Sequence, residues 1–362
     1  MKKNIAVLCD YYLIPERIGG MDRFYIVYDK AAKILGFNID WFFSKDTNFE
    51  FYKDLTIYSA NNTSVEQFFL WHCENSDIEY DVVVTHFLQP VSIFFKAIKK
   101  INPSVYIINV DHNPRPLNGF TLKKRIKNKI KGLMYGKYVD KLIGVSNYTS
   151  ASILKDFGRQ LKHKVHTIHN GIDVLSCKKQ HIDRGQKPFK FVVVSHLRES
   201  KGIQDLLRAV SILDVELKSI LSIDIYGEGP YKDELIKLQQ EYGLEEFIHF
   251  KGSSSRVNEI LKNYHYLIQP TYMECFSLSL LESLACNVPV ITTTVGGNIE
   301  LVKDGFNGFI FTPKDVNKLS FIILGIVKGE LKIEVDVNEL VVKKFTLDRM
   351  VNNHIKLLEE CI

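Results

Sequence analysis

The stretch FKFVVVSHLRESKGIQDLLRAVSIL, Phe189 to Leu213, carries the pattern that decides the fold. It begins with a run of apolar, mostly β-branched residues, passes through a short polar loop, and continues with apolar residues at helical spacing. A continuous apolar strand followed by an amphipathic helix is typical of a parallel sheet covered by helices on both faces. Both halves of the 362-residue chain repeat this alternation.

The alternation predicts an α/β protein with two Rossmann-like parallel-sheet domains of similar size. Residues 173–189 are polar and have no periodicity, so we place the domain linker there. We expect domains at 1–175 and 188–345, followed by a C-terminal helix at 346–362. The predicted strands are NIAVLCDYY, NIDWFFS, DVVVTHF, SVYIINVD, KLIGVS and KVHTIHNG, then FKFVVVSHL, LSIDIYGEG, FIHFKG, YLIQPT, PVITTTVGG and GFIF.

Composition excludes several classes of protein. With 46% hydrophobic and 25% charged residues the chain can form packed cores, and a net charge of +5 does not indicate a nucleic-acid partner. The six cysteines include no C-x-x-C pair, which argues against a zinc or dithiol site and favours the reducing cytoplasm. The N-terminal apolar run, residues 5–9, is too short for a signal peptide, and no run is long enough for a transmembrane helix.

Chemistry is expected in the loops that follow the strands, because ligands of open α/β sheets bind at the carboxyl ends of the strands. The loop VSHLRESKG holds His196, Arg198 and Lys201 just before a helix. Cations near a helix N-terminus suit a polyanion such as a diphosphate. The alternative is a solvated charged loop.

Two loops of the first half are further candidates. Gly19 and Gly20 precede a helix and would let a ligand approach the backbone closely, although a plain turn explains them equally well. His112 follows the strand SVYIINVD, where it could meet a substrate. The alternative is a loop histidine held by Asp111.

The segment ECFSLSLLE sets two acids, Glu274 and Glu282, eight positions apart. They would not be neighbours on one helix, but Ser277 is a plausible N-cap between them. Glu274 would then lie in the loop before the helix, and the amides around residues 276–278 would be free helix-start donors. This order suits a nucleotide sugar, with sugar, diphosphate and ribose in a row.

Together these segments resemble the retaining glycosyltransferases of family GT4, which have the GT-B fold and belong to the glycosyl transferases group 1. The resemblance covers essentially the whole chain. It is carried by GGMDR, the Asp111-His112 loop, VSNYTS, HNGID, SHLRESKG, YGEGP and ECFSLSLLE followed by SLACNVPVITTTVGG. It implies an interdomain cleft and a C-terminal helix that crosses back to the first domain.

The resemblance also implies roles for individual residues. Three of them would be catalytic: Glu274 would bind donor-sugar hydroxyls, Lys201 would neutralise the diphosphate as the bond breaks, and His112 would contact the sugar beside the reacting carbon. Glu282 would bind the ribose and Ser253, more loosely, the base. The diphosphate would be held by Phe276, Ser277 and Leu278 together with Gly19 and Gly20. His196 stands where the group usually has arginine, and Arg198 is expected to supply that charge.

The implied activity is transfer of a hexosyl unit from a UDP- or GDP-linked sugar to a glycan or lipid-linked acceptor, in bacterial cell-surface polysaccharide biosynthesis. The first domain would bind the acceptor and the second the nucleotide sugar. No metal or other cofactor is expected. Two alternatives stay open: a nucleotide-sugar epimerase of the same fold, and a non-catalytic nucleotide-sugar-binding module.

A basic amphipathic segment, residues 122–133, bears on localisation. It carries six lysines and arginines, with Leu122, Ile126, Ile130 and Leu133 at helical spacing. Such a helix can lie on an anionic membrane, which would make a cytoplasmic protein peripheral on the inner face of the plasma membrane. The alternative is a solvated helix whose apolar stripe packs on its own domain.

Overall fold

The computed structural model describes residues 3–15, 18–45, 49–61, 63–177 and 187–361. The chain forms two compact units, one comprising Met1–Asn170 with Leu347–Ile362 and the other comprising Gly171–Thr346. The segment predicted as the linker, 173–189, therefore lies at the start of the second unit. Residues 178–186 of that segment lie outside the described residues.

The first unit is built on a parallel sheet. Its strands are β1 (Asn4–Tyr12), β2 (Asn38–Lys45), β3 (Thr56–Ser59), β4 (Val82–His86), β5 (Tyr106–Asp111), β6 (Lys141–Gly144) and β7 (Val165–Thr167). Within the described residues their order across the sheet is β3-β2-β1-β4-β5-β6-β7. Its helices before the second unit are α1 (Gly20–Ile34), α2 (Val65–Asn75), α3 (Ile93–Ile101), α4 (Leu122–Tyr135) and α5 (Asn147–Phe157).

The second unit contains a second parallel sheet. Its strands are β8 (Phe189–Val194), β9 (Leu221–Tyr226), β10 (Ile248–Gly252), β11 (Tyr266–Gln269), β12 (Val290–Thr293) and β13 (Gly308–Phe311), in the order β10-β9-β8-β11-β12-β13 among the described residues. The helices are α6 (Ile203–Ser211), α7 (Val215–Lys218), α8 (Lys232–Glu241), α9 (Val257–Leu261), α10 (Leu278–Ala285), α11 (Asn298–Leu301), α12 (Val316–Val327) and α13 (Glu339–Lys344). In the two units together, the described residues also form short 3₁₀ helices at Glu50–Tyr52, Gly136–Tyr138, Arg159–Lys164, Val174–Ser176 and Glu199–Lys201.

The predicted fold class, two Rossmann-like parallel-sheet domains as in the GT-B fold, is confirmed. Strand β4 is buried along its whole length and β1 from Ile5 to Cys9, because helices cover both faces of each sheet and both faces must be apolar. One strand, β3, was not predicted. It is only four residues long and sits at the edge of its sheet, where a continuous apolar run is not required.

The chain ends in α14 (Leu347–Glu359), which is counted with the first unit. It packs against α1, where the His354 ring lies 5.2 Å from the ring of Phe24 and 6.1 Å from that of Tyr28. Its buried residues recur every three or four positions, as expected for a helix with one apolar face: Leu347, Met350, Val351, His354, Ile355, Leu357 and Leu358.

Helix α4 presents its apolar stripe to solvent. Its buried residues are Asn128 and Gly132, whereas the apolar side chains at half or more exposure are Leu122, Ile126, Ile130, Leu133 and Met134. A Cβ at Gly132 would lie 1.7 Å from the carbonyl oxygen of Phe157, so only glycine lets α4 approach α5 on this side. The interpretation in which the stripe packs on its own domain is therefore wrong.

No helix in the described part of the chain is both long enough and apolar enough to cross a membrane.

Candidate functional site

The candidate site of the second unit lies where the strand order reverses. Strands β8 and β11 are neighbours in the sheet but are separated in sequence by β9 and β10. Diverging connections at such a point leave a crevice beyond the carboxyl ends of the strands. The loop after β8 carries the predicted cations and the loop after β11 carries Glu274, so the topology brings both groups to one edge.

Lys201 and Glu274 form an ion pair at this edge. The Nζ atom of Lys201 lies 2.9 Å from Oε2 of Glu274, and the side chains are only 23% and 17% exposed. The Cys275 amide donates to the other carboxylate oxygen, Oε1, at 3.1 Å. The structure therefore joins a cation and a carboxylate that are 73 positions apart in sequence.

The loop after β8 and the loop after β11 are held together by hydrogen bonds and by a close approach of their backbones. The Tyr272 amide donates to the Ser200 carbonyl at 2.8 Å, and the Tyr272 hydroxyl donates to Asp205 at 2.5 Å. Gly202 has a left-handed backbone, φ +70°, and a Cβ there would lie 1.9 Å from the Pro270 carbonyl oxygen. Any other residue at position 202 would push the loops apart and separate Lys201 from Glu274.

Helix α10 begins between the two glutamates, as predicted. Ser277 is its N-cap, and its Oγ accepts a hydrogen bond from the Leu280 amide at 3.3 Å and another from Gln269 Nε2 at 2.7 Å. Glu274 is in the loop before the helix and Glu282 is in its second turn, nearly buried at 9% exposure. The first amides of a helix lack partners within the helix and attract anions.

His196 and Arg198 occupy different environments. The Nδ1 atom of His196 contacts the Glu228 carbonyl, which also accepts from the Leu197 amide at 3.0 Å. The Arg198 side chain is exposed beside the short 3₁₀ helix that carries Lys201. Of these two side chains, that of Arg198 is the more exposed to solvent.

Ser253 follows β10 at the edge of the sheet, two strands away from β8. It is exposed, and the preceding Gly252 accepts from the Gly227 amide at 2.8 Å. Ser253 is therefore near the glycine turn that supports His196 but is not brought into contact with Lys201 or Glu274.

In the first unit, α1 begins at Gly20 with Gly19 as its N-cap. Asp22 was not predicted as a site residue, although an acid in the first turn of a helix is a common stabilising feature. Its Oδ2 accepts from the Gly19 amide at 2.7 Å and from the Tyr11 hydroxyl at 3.2 Å, and its Oδ1 accepts from the Tyr52 hydroxyl. Asp22 therefore already occupies one of the helix-start donors, the Gly19 amide, and burial raises the pKa of this acid.

His112 is held by rings rather than by Asp111. Its Nε2 lies 3.0 Å from Nδ1 of His86, and its ring stacks on Phe87 with centroids 4.3 Å apart. Asp111 instead pairs with Arg115 at 2.7 Å. The interpretation of His112 as a loop histidine held by Asp111 is therefore wrong. Burial lowers the pKa of His112 to about 3, so the ring is neutral at physiological pH.

Two further histidines near His112, His86 and His354, were not predicted as site residues. His86 ends β4 and His354 lies on α14, and their ring centroids are 6.1 Å apart. Burial lowers the pKa of His354 to about 4 and holds that of His86 well below its ordinary value. Among the described residues, no group of three or more histidine, cysteine, aspartate and glutamate side chains is arranged to hold a metal ion.

Comparison with protein families identifies the second unit. Residues 178–339 match the family model described as "Glycosyl transferases group 1". This segment belongs to the glycosyl transferases group 1 family. The predicted similarity to the glycosyl transferases group 1 is confirmed for this segment, which contains all the second-unit candidates, from His196 to Glu282.

Curated relatives of the chain are also glycosyltransferases. An uncharacterized glycosyltransferase of Methanocaldococcus jannaschii is 29% identical over 211 residues, which are 57% of this chain and 56% of that protein. The poly(glycerol-phosphate) alpha-glucosyltransferase of Bacillus subtilis is 23% identical over 310 residues, 76% of this chain and 45% of the relative. The chain thus spans about half the length of these relatives.

Solved structures share the fold of the chain over nearly its whole length. An Anabaena protein crystallised in complex with UDP-glucose has a TM-score of 0.78 at 16% identity, covering 99% of each chain. At this identity the similarity establishes the fold.

Proposed function

We propose that the protein is a retaining glycosyltransferase that transfers a hexosyl unit from a nucleotide-diphosphate sugar to a hydroxyl of a glycan or lipid-linked acceptor. The observation that carries this proposal is the ion pair between Lys201 and Glu274 next to the start of α10. A cation, a carboxylate and a helix N-terminus side by side suit a ligand in which a diphosphate adjoins sugar hydroxyls. Membership of the group 1 family supports the same conclusion.

The ion pair leaves capacity for a ligand. An ammonium group has three donors, and Lys201 uses one on Glu274, so two can reach phosphate oxygens. Each carboxylate oxygen accepts more than one hydrogen bond, so Glu274 can also bind sugar hydroxyls. We assign the amides of residues 276–278 and the guanidinium of Arg198 to the diphosphate, and Glu282 to the ribose. The UDP-glucose complex of the Anabaena structure supports a UDP-sugar, and GDP-sugars are the alternative.

In the proposed reaction, the bond between the anomeric carbon and the diphosphate oxygen breaks and its electron pair goes to the diphosphate. The acceptor oxygen bonds to the anomeric carbon from the same face, and the acceptor proton passes to the leaving phosphate. Lys201 stabilises the charge that develops on that phosphate. We propose that no metal ion is needed, since Lys201, Arg198 and helix amides surround the anion. Loss of turnover on chelation would contradict this.

For the first unit we propose acceptor binding, with His112 contacting the reacting sugar and with Gly19 and Gly20 lying against the diphosphate, where the Gly19 amide already donates to Asp22. These residues lie at the carboxyl ends of their sheet's strands, where ligands of such sheets bind. We assign Ser253 to the base. The Bacillus relative acts on a poly(glycerol-phosphate), which supports a cell-surface polymer as the acceptor class.

We also propose that α4 attaches the protein to an anionic membrane surface on the cytoplasmic side. Its exposed apolar stripe is flanked by Lys123, Lys124, Arg125, Lys127 and Lys129. An unpartnered apolar face bordered by cations is the pattern of an interfacial helix, because the acyl region receives the apolar face and the headgroups receive the charges. A lipid-linked acceptor would then be presented close to the enzyme.

Vesicle sedimentation tests the membrane proposal. Wild-type protein is expected to sediment with vesicles containing anionic lipid at low salt and to be released at high salt. Ile126→Ser with Ile130→Ser should abolish sedimentation. The control is Ile34→Ser, which removes an even more exposed apolar residue from α1. Absence of binding by the wild type at low salt would end the proposal.

The activity itself is tested in two steps. A thermal-shift screen of UDP- and GDP-sugars identifies the donor, and product analysis with donor alone and with acceptor follows. Transfer that depends on acceptor supports the proposal, whereas an isomerised donor without acceptor would identify an epimerase. Glu274→Gln should keep nucleotide binding and lose transfer. A wild-type protein that binds the donor but converts it under no condition would be a binding module.

A further inference from the structure

The ring of His112 is fixed on two sides by consecutive residues. His86 contacts its Nε2 through Nδ1 at 3.0 Å, and Phe87 stacks against its face at an interplanar angle of 23°. His86 is the last residue of β4, and Phe87 is the first residue of the following loop. The orientation of His112 therefore depends on the end of a neighbouring strand.

Phe87 holds its position at a conformational cost. Its φ of +65° is in the left-handed region, which bulky residues rarely adopt. In that conformation its ring lies between His112 and Tyr11, whose centroid is 5.6 Å away. Unusual backbone conformations of this kind persist where the surrounding structure requires them, often at functional sites.

His86 is buried among rings of two helices. Phe24 and Tyr25 of α1 lie 5.8 and 6.5 Å from it, and His354 of α14 lies 6.1 Å away. Its Nε2 is buried and has no hydrogen-bond partner in the described part of the chain. His86 thus makes one side-chain hydrogen bond there, the one to His112.

This arrangement favours one placement of the protons over the other. A neutral imidazole has one N–H donor and one acceptor nitrogen. Nε2 of His86 lacks a partner in the described part of the chain in either tautomer, and a buried N–H without an acceptor is tolerated less than a buried acceptor without a donor. With the proton on Nδ1, His86 donates to Nε2 of His112, and the proton of His112 must then be on Nδ1.

We propose that His86 is a positioning residue that sets the tautomer and orientation of His112. With His86 donating, His112 presents Nδ1 as an N–H donor, so it stabilises an oxygen of the reacting sugar rather than accepting a proton from it. The role of His112 toward the sugar rests on the proposed function, whereas its tautomer is inferred from the contacts of His86 and His112 alone. Helix α14 contributes by covering His86 with His354.

Two variants separate the hydrogen bond from packing. His86→Asn keeps an N–H donor close to the place of Nδ1, whereas His86→Leu removes it. His86→Leu is expected to lower kcat about 10- to 100-fold, by analogy with partners that orient a metal-ligating histidine, with the Kd for UDP unchanged. His86→Asn should recover most of kcat. The matched control is His72→Leu, which removes another buried histidine of the first unit, one that contacts Tyr80 at 3.2 Å.

A second measurement does not depend on activity. Imidazole ¹⁵N shifts of histidine-labelled protein should show the Nδ1–H tautomer for His112 in the wild type and a mixture of tautomers in His86→Leu. An Nε2–H tautomer in the wild type would overturn the proposal, as would equal kcat losses in His86→Asn and His86→Leu. If the wild type transfers no sugar while the tautomer is as expected, the proposed function fails and the positioning role stands.

Discussion

The two units use opposite chemistry at the carboxyl edges of similar sheets. In the second unit the edge is polar and charged, with Lys201, Glu274 and Arg198 on loops tied together by hydrogen bonds. In the first unit it is lined by neutral rings, with His86, His112 and Phe87 in mutual contact. Under the proposed function, one fold supplies both an edge suited to a polyanion and an edge where burial keeps the histidine rings uncharged.

The largest effect is expected when the cation is removed from the charged edge of the second unit. Lys201→Ala should lower kcat about 10²- to 10³-fold, because it removes the cation that stabilises the leaving diphosphate. Steady-state kinetics with the identified donor measure this. The control, Lys232→Ala, removes a lysine that pairs with Glu228 at 2.9 Å in the same unit. A similar loss of kcat in both variants would mean that the net charge of the protein, and not the position of Lys201, determines the rate.

The edge of the first unit, where the histidines are buried and neutral, is tested by the pH dependence of stability. The pKa of His354 is lowered from 6.5 to about 4, so as pH falls the unfolded chain takes up the proton first. Stability should be complete above about pH 6.5 and fall toward pH 4, by as much as about 3 kcal/mol from this residue. His354→Phe should reduce the difference between the free energies of unfolding at pH 7.5 and pH 4.5, measured by urea denaturation.

The control for this measurement is His163→Phe, which replaces an exposed histidine of the same unit. It should leave the pH dependence as in the wild type. Equal slopes for the wild type and His354→Phe would mean that the burial of His354 does not make the first unit acid-sensitive.

A smaller effect sharpens the assignment of the diphosphate cations. Arg198→Ala should weaken UDP binding about tenfold or more, since a hydrogen bond to a charged group is lost. His196→Ala should change the affinity less, because Nδ1 of His196 already contacts the Glu228 carbonyl. Calorimetric titration compares the two variants. If only His196→Ala weakens binding, Arg198 does not replace the arginine usual in this group.

The smallest effect compares helix starts in the two units. Ser277→Ala and Ser64→Ala each remove an N-cap hydroxyl, from α10 and α2, and each should cost about 1 kcal/mol of stability. Only Ser277→Ala should also weaken UDP binding, because α10 is the helix assigned to the diphosphate. Equal UDP affinities in the two variants would mean that the N-cap of α10 does not contribute to nucleotide binding.

Much of the charged edge could be predicted from local sequence. The apolar run of β8 followed by the periodic residues of α6 places Lys201 in a loop, and the N-cap Ser277 places Glu274 ahead of α10. These features depend on residues within a few positions of each other. The contact between Lys201 and Glu274 could not be read from that spacing, because it depends on β8 and β11 being neighbours.

The sequence by itself determined the α/β class, most of the strands and the start of α10, because strand and helix periodicity and capping are local interactions. Only the tertiary structure decided what His112 contacts, since His86, Phe87 and His354 come from distant parts of the chain. It also decided which face of α4 is exposed, because the close approach at Gly132 turns the apolar stripe outward. Burial and long-range packing, which no local pattern encodes, set both outcomes.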